Sequence, residues 1–217
     1  GNAMDAAVAA CAVQCVVEPG STGIGGDCFA LFAAKGGPDI IAFNGSGRAP
    51  AATSAERVRA AGLTVIDQRS PHAVTVPGAI DAWSQLLRDH GTWDLGKVLQ
   101  PAIAYASEGY AITPRVHADW SSQAELLWPD ENTRAVYLPD GKPPGLGTVH
   151  RHPALARTLE EIARKGRDGF YKGWVAEDIV SYLRAIGGVH TLDDFAAAQG
   201  DYVKPIKTGF RGYDVYE

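Results

Sequence analysis

The chain has 217 residues, of which 46% are hydrophobic and 21% charged, a composition typical of one sizeable globular domain. No apolar run approaches the roughly 20 residues that a spanning helix needs, so the sequence predicts no membrane span over this stretch. A formal net charge of −5 argues against a nucleic-acid-binding protein, because such proteins concentrate Lys and Arg on one face.

The first predicted element is a helix over residues 3–17, with Asn2 as its N-cap. An apolar stripe follows this helix at the helical interval and consists of Met4, Val8, Cys11 and Cys15. The other faces are mostly alanine, which predicts a helix packed on several sides. Both cysteines are interpreted as buried core residues, since two cysteines four apart on one helix are poorly placed for a disulfide.

A turn-rich loop over residues 18–27 leads into two predicted buried strands, Cys28–Ala33 and residues 39–43, which form a hairpin. The loop glycines do not complete a dinucleotide-binding or P-loop motif, and the loop precedes a strand where those motifs precede a helix. We therefore interpret these glycines as positions where the backbone passes close to a neighbouring layer.

Helical patterns dominate from Ala52 onward. The predicted helices cover residues 54–61, 79–90, 95–108, 116–128, 154–165, 174–186 and 192–197. Residues 210–216 alternate as one strand, whose partner is expected downstream of Glu217. Strands at both ends and a helical middle predict an α+β protein in which residues 1–217 are part of one domain, truncated at both ends.

The residues define no nucleophile and no metal or cofactor site. Ser46 lacks the glycine two residues earlier that a nucleophile elbow requires. The six histidines form no His-Glu-x-x-His pattern, and there is no Cys-x-x-Cys. Arg48 follows an apolar strand, and two interpretations remain open for it: binding of a substrate carboxylate, or an ordinary surface ion pair.

Several motifs occur together and in order along the chain. They are Gly-Asn-Ala-Met-Asp at the start, Glu-Pro-Gly-Ser-Thr-Gly-Ile-Gly-Gly-Asp at 18–27, Arg-Ala-Pro at 48–50, Val-Pro-Gly-Ala at 76–79, Leu-Gln-Pro-Ala at 99–102, Asp-Gly-Phe-Tyr-Lys-Gly at 168–173 and Phe-Arg-Gly-Tyr at 210–213. With them, the whole chain resembles the large subunit of the gamma-glutamyltransferase family, which includes acylases active on cephalosporin-type substrates.

The resemblance implies a four-layer αββα sandwich, the fold of N-terminal-nucleophile (Ntn) hydrolases, of which this chain is the helix-rich large-subunit part. It implies a precursor that cleaves itself and a catalytic threonine downstream of Glu217, at the start of the small subunit, that attacks an amide carbonyl. The implied partners are that small subunit and a small acyl amide, such as glutathione. This chain alone is then expected to be inactive. The alternative is a non-catalytic binding module that keeps the fold.

The chain departs from the family pattern at one position. In typical gamma-glutamyl members an Arg-Glu pair precedes Ala-Pro, and the arginine binds the α-carboxylate of the glutamyl group. Here Ser46 and Gly47 occupy those positions, and Arg48 lies two residues later. We therefore predict Arg48 and Ser46 as substrate-binding residues and leave open whether the acyl group is gamma-glutamyl. The free cysteines slightly favour a cytoplasmic location over a periplasmic or secreted one.

Overall fold

The computed structural model describes residues 1–217, which form twelve α-helices and three small antiparallel sheets. The helices are α1 (Ala3–Val17), α2 (Ala55–Ala60), α3 (Ala79–His90), α4 (Leu95–Val98), α5 (Gln100–Glu108), α6 (Pro114–Ser122), α7 (Ala124–Leu127), α8 (Glu131–Tyr137), α9 (Pro153–Lys165), α10 (Asp168–Tyr171), α11 (Trp174–Ala185) and α12 (Leu192–Ala196). The strands are β1 (Cys28–Ala33), β2 (Ile40–Gly45), β3 (Tyr110–Ala111), β4 (Val149–His150), β5 (Asp201–Val203), β6 (Lys207–Phe210) and β7 (Tyr213–Tyr216). None of the helices combines the length and apolarity needed to cross a bilayer.

Helix α1 begins where the sequence predicts, because the side chain of Asn2 accepts hydrogen bonds from the backbone N–H groups at the helix start. Asp5 connects this start to the loop after α3, since its carboxylate accepts from Thr92 N (2.8 Å) and Trp93 N (3.0 Å). Burial acts to raise the pKa of Asp5, but the hydrogen bonds from Thr92, Asn2 and Trp93 outweigh it and hold the pKa well below its ordinary value.

The prediction that α1 is packed on several sides is wrong for its alanine face. Val8, Ala12 and Cys15 are buried, whereas Cys11 is exposed together with most of the alanines. Residues four apart on a helix are rotated by about 40° from each other. The core reaches far enough around α1 to cover Cys15 and stops short of Cys11.

The main hydrophobic core lies among the helices, with buried residues from α1, α3, α4, α5, α9, α10 and α11. Helix α3 separates this core from the sheet. Its Ile80 and Trp83 face the helical core, while Ala82 and Leu86 pack on Phe43 of β2. One face of the sheet is therefore covered by α3.

The sheet formed by β1, β2 and β5, in that order, leaves its other face open. Leu31 pairs with Ala42, and Ala42 with Val203, so these three residues lie on one face together with Phe29. Phe29 is 67% exposed, Leu31 46% and Val203 43%. An apolar sheet face of this kind is normally packed against another layer.

Two of the predicted helices are interrupted. Pro101 has no N–H to donate to the carbonyl of Lys97, so the predicted helix 95–108 divides into α4 and α5 at Leu99. The predicted helix 116–128 begins earlier, at Pro114, and divides into α6 and α7. Helices α8 and α10 and strands β3, β4 and β5 were not predicted.

The C-terminal residues form a hairpin, so the prediction of one continuous strand over 210–216 is wrong. Arg211 and Gly212 both have positive φ (49° and 83°) and make a two-residue turn between β6 and β7. Strand β7 pairs with β6, the preceding segment of the same chain, and both strands of this hairpin are mostly exposed.

Candidate functional site

Three chain segments enclose a cavity of about 200 Å³ at the end of β2. The first is the segment after β2, with Ser46, Gly47 and Arg48; the second is the turn at 76–78 that precedes α3; the third runs from the end of α12 to Gly200, just before β5. Arg48 is the only cationic side chain among the lining residues. The two residues predicted from sequence, Arg48 and Ser46, thus line the same cavity.

The first two segments approach so closely that only glycine fits between them. A Cβ at Gly47 would collide with the carbonyl oxygen of Val76, and a Cβ at Gly78 with that of Gly45. A backbone hydrogen bond from Val76 N to Arg48 O, 2.9 Å long, crosses the same gap. The glycines therefore set the narrow separation between two walls of the cavity.

The loop glycines before β1 do not allow a close backbone contact of this kind. A Cβ at Gly23 or Gly25 would meet nothing within 4 Å, so the predicted close backbone passage is wrong at both positions. Gly26 contributes differently, because its carbonyl accepts hydrogen bonds from the N–H groups of Gly78 and Ala79 at the start of α3. This contact places the loop against the cavity's second wall.

Carboxylates fix the backbone of the segment that carries Arg48. Gly47 N donates to Asp27 Oδ1 (3.2 Å), and Ala51 N donates to Asp194 Oδ1 (2.9 Å). The other oxygen of Asp194 accepts from Thr191, whose side chain caps α12 in return. Burial acts to raise the pKa of Asp194, but the hydrogen bonds from Ala51 and Thr191 outweigh it and lower the pKa. The first and third walls are thereby joined.

A buried polar cluster holds the second and third walls in place, and we call it the anchor cluster: Asp81, Gln85, Arg167 and Tyr171. The Asp81 carboxylate accepts from Arg167 Nε (2.5 Å), Gln85 Nε2 (2.7 Å) and Gly200 N (2.8 Å). Tyr171 Oη donates to Pro77 O (2.6 Å) and accepts from Asp81 N.

The third wall receives two more bonds from the anchor cluster. Arg167 donates to the carbonyl of Ala198, and Gln85 to that of Gly200, in the third wall. Asp81 is 2% exposed, so its charge is satisfied within the protein and not by water. Burial also raises the pKa of Tyr171 far above its ordinary value, so the hydroxyl stays protonated and can donate a hydrogen bond.

Sequence reasoning missed the anchor cluster. The available signal was an aspartate in the first turn of the apolar helix 79–90, beside Ile80 and Ala82. An aspartate is favourable in the first turn of any helix, so its position in the sequence does not distinguish the buried Asp81 from an exposed aspartate. Its partner Arg167 lies 86 residues away in the chain.

The arrangement is suited to binding. Arg48 offers an exposed guanidinium at the cavity mouth, with a side chain that is 75% exposed, and Ser46 lies beside it on a backbone fixed at several points. Nowhere in the structure do three or more His, Cys, Asp or Glu side chains come together as a metal ligand set. The side chains that line the cavity can position an anionic group.

Comparisons with known proteins agree on one family. The family model described as gamma-glutamyltranspeptidase matches residues 1–217. The glutathione hydrolase-like YwrD proenzyme of Bacillus subtilis is 37% identical over all of this chain and 41% of its own length. Among solved structures, cephalosporin acylase from Bacillus halodurans (TM-score 0.93, 37% identity) and gamma-glutamyltranspeptidase from Helicobacter pylori (TM-score 0.92, 29% identity) each match over 99% of the chain.

The matches cover the chain fully and the relatives only in part. The chain spans about two fifths of the length of the curated relatives it matches, with 41% of the first and 38% of the second. It covers 41% of the cephalosporin acylase chain and 62% of the Helicobacter pylori chain.

Proposed function

Because the chain belongs to the gamma-glutamyltranspeptidase family, we propose that it is the large-subunit portion of an autoprocessed amide hydrolase or acyltransferase. Its helix-rich α+β fold with small sheets is the large-subunit part of the fold seen in gamma-glutamyltranspeptidase and cephalosporin acylase. Relatives in the curated set carry the names glutathione hydrolase proenzyme and acylase proenzyme. In this proposal the nucleophile is the N-terminal threonine of a small subunit from the same precursor.

The open face of the sheet supports such a partner. Phe29, Leu31 and Val203 form an exposed apolar surface on the side of the sheet opposite α3. A second sheet from the small subunit would cover this surface and complete the two central layers of the sandwich. The exposed hairpin of β6 and β7 is a further surface for the same subunit.

The observation that carries the substrate assignment is the position of Arg48 at the mouth of the cavity, beyond the end of β2. In the proposal its guanidinium binds a carboxylate on the acyl group, and Ser46 contacts the same group. A guanidinium binds carboxylates through paired N–H donors, which also orients them. The substrate is thus an acyl amide that carries a carboxylate, of which gamma-glutamyl amides are one class.

Autoprocessing is tested first, on a denaturing gel of the purified full-length protein. Two fragments are expected of the enzyme. One intact band, together with no turnover of acyl amides, would contradict the proposal and favour a binding module that keeps the fold.

Replacement of Arg48 tests the substrate assignment. Arg48→Ala is expected to raise KM for gamma-glutamyl and glutaryl p-nitroanilides about tenfold or more and to leave KM for butyryl p-nitroanilide unchanged, because a charged hydrogen bond contributes roughly 1.5–3 kcal/mol. Arg69→Ala is the matched control, since Arg69 is a comparably exposed arginine paired with Asp67 away from the cavity. Equal effects of Arg48→Ala on all three substrates would contradict the assignment.

A further inference from the structure

Arg48 is already paired with a carboxylate of its own chain. Its Nη2 lies 3.1 Å from Asp201 Oδ2, in a contact between residues 153 positions apart. Asp201 opens β5, opposite Asn44 in the register of the sheet, and directly follows Gly200, which lines the cavity.

The backbone on both sides of Asp201 is firmly held. The preceding residue, Gly200, is bound through its N–H to Asp81 and through its carbonyl to Gln85. The following residue, Tyr202, donates its hydroxyl to Asp89 (2.9 Å) and stacks edge-on against Phe43, 4.9 Å between ring centres. Asp201 is thus held beside Arg48 by its two neighbours in the chain.

Three carboxylates contact the chain segment that carries this arginine. Asp27 and Asp194 bind the backbone of the Arg48 segment, and Asp201 contacts the guanidinium itself. Of these three carboxylates, Asp201 is the one in contact with the cation. A substrate carboxylate that approaches Arg48 must displace Asp201 or share the guanidinium with it, and two like charges on one cation repel each other.

We propose that Asp201 is a specificity-determining residue that competes with substrate carboxylates for Arg48 and so weakens the binding of carboxylate-bearing acyl groups relative to neutral ones. This inference rests on the proposed role of Arg48 in substrate binding. The pair suits a competitor that can be displaced, because the contact is single and both side chains are exposed (75% and 57%). Exposed pairs of this kind contribute about 0.2–1 kcal/mol.

The test is Asp201→Asn in the full-length protein, which keeps the side-chain shape and removes the charge. KM is expected to fall about 1.4- to fivefold for glutaryl and gamma-glutamyl p-nitroanilides, the factor that corresponds to losing an exposed ion pair of this strength. KM for butyryl p-nitroanilide and kcat for all three substrates should not change. Asp67→Asn is the matched control, because it removes the same charge from another exposed Asp–Arg pair.

Two outcomes would overturn the proposal. An unchanged KM for the carboxylate substrates would show that Asp201 does not compete, and a raised KM for the gamma-glutamyl substrate alone would show that Asp201 binds its ammonium group. In the double variant with Arg48→Ala, the effect of Asp201→Asn should disappear.

A binding measurement without turnover distinguishes failure of the competition from failure of the proposed enzymatic function. Calorimetric dissociation constants for glutaramate, an amide that carries a carboxylate, provide the same comparison without turnover. Tighter glutaramate binding by Asp201→Asn in a protein that turns over no amide would contradict the enzyme and support the competition.

Discussion

Substitution of Arg167 by Met should destabilise the protein through Asp81. The change keeps most of the apolar stem and removes the guanidinium, so the Asp81 carboxylate, 2% exposed, loses its only cationic partner. Breaking a buried pair from one side costs about 3–5 kcal/mol. Gln85 and Gly200 still donate to the carboxylate, and Arg167 itself is 24% exposed, so we expect a cost of about 3 kcal/mol.

The double variant separates the charge from the packing. In Arg167→Met with Asp81→Asn no charge is left unpaired, so its cost should be smaller than the sum of the single costs by about 2 kcal/mol. The assay is urea unfolding of the full-length protein, with Arg164→Met as control. Arg164 also pairs with a carboxylate, Glu161, but its side chain is 64% exposed, and its loss should cost less than about 1 kcal/mol.

Additive costs would refute this account of the anchor cluster, because independent contributions mean that Asp81 and Arg167 do not stabilise each other. The cluster also predicts a functional effect. Ala198 and Gly200 are both bound by it and both line the cavity, so Arg167→Met should raise KM for carboxylate substrates even where the protein remains folded.

Three further predictions concern other parts of the chain. Burial and the nearby His152 lower the pKa of His150 from its ordinary 6.5 to about 4. The stability that the neutral imidazole contributes is therefore fully present above pH 6.5 and falls by up to about 3 kcal/mol towards pH 4. His150→Phe should remove this loss, measured as the wild-type-minus-variant difference in unfolding free energy. Gly78→Ala should greatly reduce the yield of soluble protein, since its Cβ would overlap a backbone carbonyl, while Gly23→Ala, where a Cβ meets open space, should express normally. In the 217-residue chain at pH 8, maleimide should label the exposed Cys11 and leave Cys28 largely unreacted, because burial raises the pKa of the Cys28 thiol to about 11. Equal labelling of both thiols would contradict this prediction.

Local sequence patterns predicted those elements whose apolar residues repeat with one clear period. The predicted helix 79–90 coincides with α3, and the predicted helix 154–165 lies within one residue of α9, because each has a continuous buried face. The short elements had no such face. Strand β5 is only three residues long and exposed, and it exists as a strand because it pairs with β2.

The hairpin at the C-terminus shows how a turn can be hidden by alternation. Residues 210–216 place Phe210, Gly212 and Asp214 in alternation with Arg211, Tyr213 and Val215, which suggests a strand, but Gly212 permits the positive φ that a two-residue turn requires. The pair Arg-Gly is a weaker turn signal than Asn-Gly. The pattern therefore predicted one strand where the backbone makes two.

For the candidate site, sequence identified one wall and not the other two. Arg48 and Ser46 were found because they follow a strand and because the chain departs there from a family pattern. The turn at 76–78 and the segment before β5 are brought to the same cavity by buried contacts between residues far apart in sequence. Such contacts have no local periodicity, so Asp201 could not be connected to Arg48 from the sequence.

The displaced arginine and the glycine beside it form one structural feature. The family pattern would place an Arg-Glu pair at positions 46 and 47. Position 47 cannot hold a glutamate with the backbone of this chain, because even a Cβ there collides with the carbonyl of Val76. The close approach of the turn at 76–78 therefore requires glycine at 47, and the arginine is the next residue along the chain. That position also brings the guanidinium to Asp201, so the same displacement creates the ion pair that we propose sets the acyl specificity.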